Sequence, residues 1–330
     1  MKKGISMGGS MKLKGLVLGL VAFATIGMVG CSSKEDKSDN LKVTLVLSEG
    51  GVNDQSFNQS AWEGALKAKE NLDIDVSYLE SKQVSDYTTN IENAIDQDSD
   101  LIIGVGFQLG DAIKEASENY PDQKFAIVDN TYDEIPSNLT PILFDEKQAG
   151  YSVGVVASEL SKTKTVGFVG GMDIPSCSNF LVGFEKAIKD EGKDIKVLSQ
   201  YANSFTDASK GKAISQQMIS EGADILFMAG GGVNNGVLEV AREQGKKVIG
   251  VDMPSHHLAP DTVITSALKN VGTGVELTIK ALKQDTLVGG EPIYYNISNK
   301  GVGFEKTYHL HPELVEYVEN KVEKYDSKVD

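Results

Sequence analysis

The sequence predicts an α/β protein built as two similar lobes, each a doubly wound parallel sheet, joined by a hinge that the chain crosses more than once. Three observations predict it. Short apolar runs rich in Val and Ile alternate with amphipathic stretches; the order of these segments recurs once at an offset of 121 to 123 residues; and further strand and helix patterns follow the second repeat. Runs that are apolar without strict alternation suit parallel strands covered on both faces. Strand–helix alternation implies βαβ units. At 330 residues the chain exceeds the size at which a single core usually stops growing.

Taken in order, the strand-like runs are 43–47, 74–79, 101–105, 125–128, 166–169, 195–198, 225–228 and 248–251. Helical patterns occupy 61–72, 87–96, 111–119, 180–189, 213–220 and 236–243. Leu45 falls on Val166, Ile102 on Ile225, Val128 on Val251 and Asp129 on Asp252, so this is one long duplication rather than a short solenoid period. Beyond it, 263–269 predicts a strand and crossover, 272–284 a helix, 293–297 a strand and 312–325 a terminal helix. The expected lobes are 41–145 plus 265–286 and 146–264 plus 287–330, and several crossings between lobes make a hinge that closes on ligands.

The N-terminus reads as an address. Lysines lead into an apolar run from Leu16 to Met28, then Val29-Gly30-Cys31, the pattern of a secretory signal over 1–30. A cysteine directly after the cut resembles a lipobox, whose thiol is lipidated, although Met28 stands where leucine is usual. Met11 offers an alternative start. Residues 31–40 are polar and read as a tether carrying the acyl chains (palmitate among them) on Cys31. Past residue 30 no stretch is apolar enough to span a bilayer.

Composition excludes several classes. The formal net charge is −15, and residues 1–30 hold four lysines and no acid, so a chain beginning at Cys31 carries −19. Such a surface repels nucleic acid and anionic headgroups. Arg242 is the single arginine, no P-loop exists, and Gly104–Gly110 has the wrong spacing for a dinucleotide fingerprint. A Gly-x-Ser-x-Gly elbow and a His-Glu-x-x-His pair are missing, and adjacent His256 and His257 do not share a helical face as metal ligands do. The second cysteine, Cys177, has no disulfide partner; it reads as a small packing residue, though a place near a helix start can lower a thiol pKa.

In open parallel sheets ligands bind beyond the carboxyl ends of the strands. The segments there are 50–58, 104–108, Asp129-Asn130, 170–175, 230–235 and 252–256. Asp129 and Asp252 end apolar strands at duplicated positions and face the cleft from their own lobes; capping a following helix is the alternative. A carboxylate there accepts hydrogen bonds from vicinal hydroxyls. Phe57 lies among polar residues on a loop rim, where it stacks on a flat ring, and Phe107 and Phe180 occupy similar places. Trp62 lies on the helix and reads as core.

These motifs resemble the basic membrane protein family of substrate-binding lipoproteins, which includes purine-nucleoside receptors of ABC transporters. The matching segments are Gly51-Val-Asn-Asp-Gln-Ser-Phe-Asn-Gln-Ser-Ala-Trp-Glu-Gly64, Phe125-Ala-Ile-Val-Asp129, Val166-Gly-Phe-Val-Gly-Gly-Met172 with Pro175 and Phe180-Leu-Val-Gly-Phe184, Ala229-Gly-Gly231 with Gly236-Val237, Ile249-Gly-Val-Asp252 and Thr265-Ser-Ala-Leu-Lys269. The resemblance implies a type I periplasmic-binding-protein fold and a nucleoside held between the lobes for delivery to permease subunits. It also implies an extracytoplasmic, lipid-anchored place at the cell membrane, and neither cofactor nor turnover. It assigns Phe57 and Phe180 to sandwich the base and Asn53, Asp54 and Asn58 to its polar edge. Asp129, Asp252, Lys269 and the Gly230 backbone would hold the ribose. Two stretches depart from the family pattern, Met253–His257 and Ser176–Asn179, both in the second lobe's cleft. A nucleoside-acting enzyme and a ligand sensor or regulator on the same fold are the competing expectations.

Overall fold

The computed structural model describes residues 40–328; the expected signal sequence and the Cys31 lipidation site lie outside them. The first half runs β1 (Lys42–Leu47), α1 (Phe57–Leu72), β2 (Asp75–Glu80), α2 (Asp86–Asp96), β3 (Leu101–Val105), α3 (Gly110–Asn119), β4 (Lys124–Val128) and β5 (Leu139–Phe144). The second runs α4 (Glu146–Leu160), β6 (Thr165–Gly170), α5 (Pro175–Asp190), β7 (Lys196–Tyr201), α6 (Ala208–Ser220), β8 (Ile225–Ala229), α7 (Val233–Glu243), β9 (Lys247–Asp252) and β10 (Val263–Lys269). The remainder is α8 (Val271–Lys283), β11 (Ile293–Tyr295), β12 (Val302–Phe304) and α9 (Pro312–Glu323).

Two six-stranded sheets result, ordered β11-β5-β4-β3-β1-β2 and β12-β10-β9-β8-β6-β7. Every pairing is parallel except β10 with β12. The shared 2-1-3-4-5 winding places a switch point beside the first strand of each sheet, where ligand crevices open. The duplication read from the sequence is therefore a structural one, and the two-lobed α/β expectation is met.

The hinge differs from the expected division of the chain. Residues 265–269 were expected with the first lobe and 293–297 with the second; β10 instead pairs with β9 in the second sheet, and β11 pairs with β5 in the first. The reason is visible in the two helices that follow the fifth strands. After β5 the chain leaves the first sheet, and α4 packs on α5; after β10 it leaves the second, and α8 packs on α1. Glycine permits both contacts. A methyl at Gly64 would lie 2.1 Å from the Gly272 carbonyl oxygen, and one at Gly150 would lie 2.0 Å from that of Phe180. The third crossing runs from β11 to β12.

Three elements escape the sequence patterns: α4, β5 and the three-residue β12. In α4 every residue from Ala149 to Ser158 is buried, so no polar face marks its period. Strand β5 contains Pro141, which argues against a strand. Pro141 precedes the residues that β11 pairs, Ile142–Phe144, so it interrupts no ladder on that side.

Candidate ligand-binding cleft

The carboxyl ends of both sheets open on one partly open cavity, with about 660 Å3 of empty space counted out into the solvent. The first lobe supplies Ser48, Glu49, Gly50, Asp54, Phe57 and Asn58 after β1, Gly106, Phe107 and Gln108 after β3, and Asp129 after β4. The second supplies Ile174, Ser176, Cys177 and Phe180 at the start of α5, Phe205 after β7, Ala229, Gly231, Val251 and Asp252, and Lys269 ends β10.

Asp129 and Asp252 share a backbone conformation, with φ of +65° and +63°. The left-handed region is uncommon outside glycine, and Asp tolerates it better than most residues. Neither carboxylate caps a helix. Asp129 Oδ2 lies 2.5 Å from Lys269 Nζ, while its Oδ1 is buried without a hydrogen-bond partner. Asp252 Oδ2 accepts from the Ser56 hydroxyl at 2.5 Å, a bond that joins the two lobes. Burial pushes the Asp252 carboxyl up to about 6, with Lys269 and the Ser56 bond pulling it down. Burial raises Asp129 as well, against the pull of Lys269.

Lys269 is 1% exposed. Its ammonium also lies 2.7 Å from Glu146 Oε1 and over the rings of Phe57 and Phe144, 5.5 and 5.4 Å from their centroids. Burial works against the charge, but Asp129, Glu146 and Asp252 together hold its pKa above the ordinary value. Far from a surface lysine, it is the one cation of the cavity wall among the described residues, and the same wall carries Glu49, Asp54, Asp129 and Asp252.

The aromatic residues gather as expected, with one addition. Phe57, Phe107 and Phe180 all line the cavity. Phe180 is 3% exposed and fixed edge-on to Phe227, centroids 6.0 Å apart. Phe205 was not expected; it meets Phe107 across the cleft edge-on at 6.5 Å, and its ring lies on Gly171. Phe205 sits in the polar run Asn203–Asp207 after β7, the same setting that singled out Phe57, so the rule applied to that strand would have found it.

Other expected residues have different employment. Asp54 lines the cavity, but its carboxylate accepts the backbone amides of Ser56, Asn58 and Gln59 at the start of α1. Asn58 is buried, exchanging hydrogen bonds with the Ser48 hydroxyl and carbonyl. Asn53 is exposed and lies outside the wall: Val52 turns inward, its amide held by Glu80 at 2.8 Å, and the next side chain turns out. The Gly230 amide donates to Asn234 Oδ1 at 2.9 Å, so the wall runs through Ala229 and Gly231 instead. Cys177 is buried in the wall; burial pushes its thiol up to about 11, opposite to the lowering a helix start can give, and Sγ donates to the Ala229 carbonyl at 3.1 Å. Trp62 packs against the core and edge-on to Tyr78. Among the described residues no cluster of His, Cys, Asp and Glu could hold a metal, and no helix is long and apolar enough to cross a membrane.

Comparison with known proteins agrees with this architecture. A crystal structure of an ABC transporter system solute-binding protein from Aeropyrum pernix superposes with a TM-score of 0.76 at 26% identity, covering 87% of each chain. Basic membrane protein A of Borreliella burgdorferi is 36% identical over 320 residues, 95% of this chain and 93% of that one. The ABC transporter nucleoside-binding protein BmpA of Lactococcus lactis is 35% identical over 320 residues, 88% of this chain and 91% of its own length. Residues 41–329 match the Bmp family, described as ABC transporter substrate-binding protein PnrA-like, and the chain belongs to that family.

Proposed function

We propose that this protein captures a purine nucleoside in the cavity between its lobes and delivers it to the permease of an ABC transporter, held at the outer face of the cell membrane by a lipid on Cys31. The observation that carries the reading is Asp129 Oδ1, a buried acceptor on the cavity wall with no partner. A buried acceptor left unsatisfied costs on the order of 1–3 kcal/mol, and a ligand hydroxyl removes that cost. Asp252 offers a second carboxylate from the opposite lobe, so adjacent hydroxyls of a ribose meet acceptors on both sides. Phe57, Phe180, Phe107 and Phe205 supply flat apolar surface for a base, more than a free sugar uses. The excess of carboxylates over Lys269 disfavours phosphate and favours an uncharged ligand. The nucleoside-binding relative in Lactococcus lactis supports the same ligand class.

Calorimetric titration of the refolded domain that begins after Cys31 tests this. Adenosine, guanosine and inosine should bind saturably, ribose should not, and each nucleoside should be recovered intact. Binding of ribose alone would remove the aromatic half of the site; release of free base would make the protein an enzyme rather than a carrier.

A further inference from the structure

Glu146 is not part of the cavity wall, yet its side chain is only 5% exposed. Burying a carboxylate costs several kcal/mol unless a partner compensates it, and an apolar residue would pack there at less cost. Its position is informative. Glu146 opens α4, directly after the first crossing, and Lys269 ends β10, directly before the second. The third crossing is bonded to both. Asp145 N donates to the Tyr295 carbonyl and Asn270 N to the Gly301 carbonyl, each at 2.8 Å, and Ile297 N donates to Gln148 Oε1 at 2.9 Å. The Glu146–Lys269 ion pair therefore joins the first two of three hydrogen-bonded crossing segments.

An ammonium has three N–H donors. Asp129 Oδ2 and Glu146 Oε1 each lie within reach of one, which fixes Lys269 and leaves Asp129 Oδ1 unpartnered on the cavity wall. We propose that Glu146 is a positioning residue that anchors Lys269 to the hinge, so that one Asp129 oxygen stays free for the ligand and ligand binding is coupled to the crossing segments. The inference rests on the nucleoside reading of the cavity.

Burial pushes the Glu146 carboxyl up to about 7, with Lys269 of β10 opposing and the Asp129 carboxylate after β4 reinforcing. Asp252 after β9 acts on the same ammonium. Ionised Glu146 holds Lys269; protonated Glu146 releases it to the aspartates. Affinity should therefore fall as the pH drops through about 7, ahead of any fall from Asp252 near 6.

The test is Glu146→Gln in the domain beginning after Cys31. Inosine is titrated calorimetrically from about pH 5.5 to about 8.5, a range that spans both carboxyl groups. In parallel, acylation of Lys269 by an amine-reactive ester is followed by peptide mass spectrometry without nucleoside. The variant should bind inosine roughly tenfold more weakly at the alkaline end, a loss typical of one charge-assisted hydrogen bond. It should lose the affinity change centred near pH 7 while keeping the more acidic one, and Lys269 should acylate faster than in the wild type. Should that variant fail to fold, Glu146→Asp replaces it and should weaken binding yet retain a pH inflection. Unchanged affinity, pH profile and acylation would overturn the proposal. Faster acylation in a variant, with no inosine binding by the wild type, would keep the positioning role and overturn the nucleoside reading; equal acylation with no binding would overturn both.

Discussion

Asp129 and Asp252 stand at matching positions in a duplicated chain and share one backbone conformation, yet they are held differently. Asp129 faces a buried ammonium; Asp252 faces a hydroxyl from the other lobe. The difference comes from the crossings. The two fifth strands are counterparts, but β5 ends in Phe144 and β10 ends in Lys269. One lysine thus serves a site that the fold presents twice, and it lies over the ring of its own counterpart. Duplication supplied two acceptors, and a single cation made them unequal, so a ligand with two different ends meets two different lobes.

The strongest way to break this asymmetry is Lys269→Met. It leaves Asp129 and Glu146 buried without their cation, and stability should fall by about 3–5 kcal/mol, the usual result of removing one partner from a buried pair. Urea unfolding checks it, and a midpoint equal to wild type would mean that both carboxyls are neutral without the lysine. Next come Asp129→Asn and Asp252→Asn. Each should weaken purine-nucleoside binding by about 1–3 kcal/mol in calorimetry. Their effects on stability should diverge. The Asp252 carboxyl is raised to about 6 in the folded protein, so the stability tied to its proton is complete below the ordinary carboxylate range and disappears as the pH rises through 6. Asp252→Asn should therefore flatten stability between about pH 4 and about 7 and stabilise the ligand-free domain above it. The Asp129 carboxyl is raised in the same direction, but Asp129→Asn also takes a charged partner from the buried Lys269, so this variant should be the less stable of the two; equal stability of the two variants would erase the distinction. The smallest effect belongs to Ser56→Ala, which removes the bond between lobes. It should lower nucleoside affinity by about 0.5–1.5 kcal/mol in calorimetry, and an unchanged affinity would mean that this bond does not help to hold the lobes on the ligand.

Much of the fold was legible because parallel strands covered on both faces are continuous apolar runs and because the order repeats. Legibility failed where burial removed the pattern, as in α4, or where a proline stood in a strand, as in β5. It also failed at the hinge, since a short run such as 293–295 carries no mark of which sheet it joins. In the cleft the strand-end rule found both aspartates and three of the four phenylalanines. The family resemblance, not that rule, assigned Asn53, which lies outside the wall because side-chain direction alternates within a loop that sequence cannot orient, and the Gly230 amide, whose partner is Asn234 because an amide's partner is set by the fold. Glu146 carried no signal: its partner Lys269 lies 123 residues away, and only the crossings bring them together.

The late position of β11 and β12 has a consequence for how the chain is made. Each sheet takes its last edge strand from residues 293–304, and Ile293 pairs with Ile142 across about 150 residues. Neither lobe is a contiguous stretch that can finish folding while the ribosome is still working. Contacts of such separation form slowly, so neither sheet can gain its last edge strand until nearly all of the chain has been made.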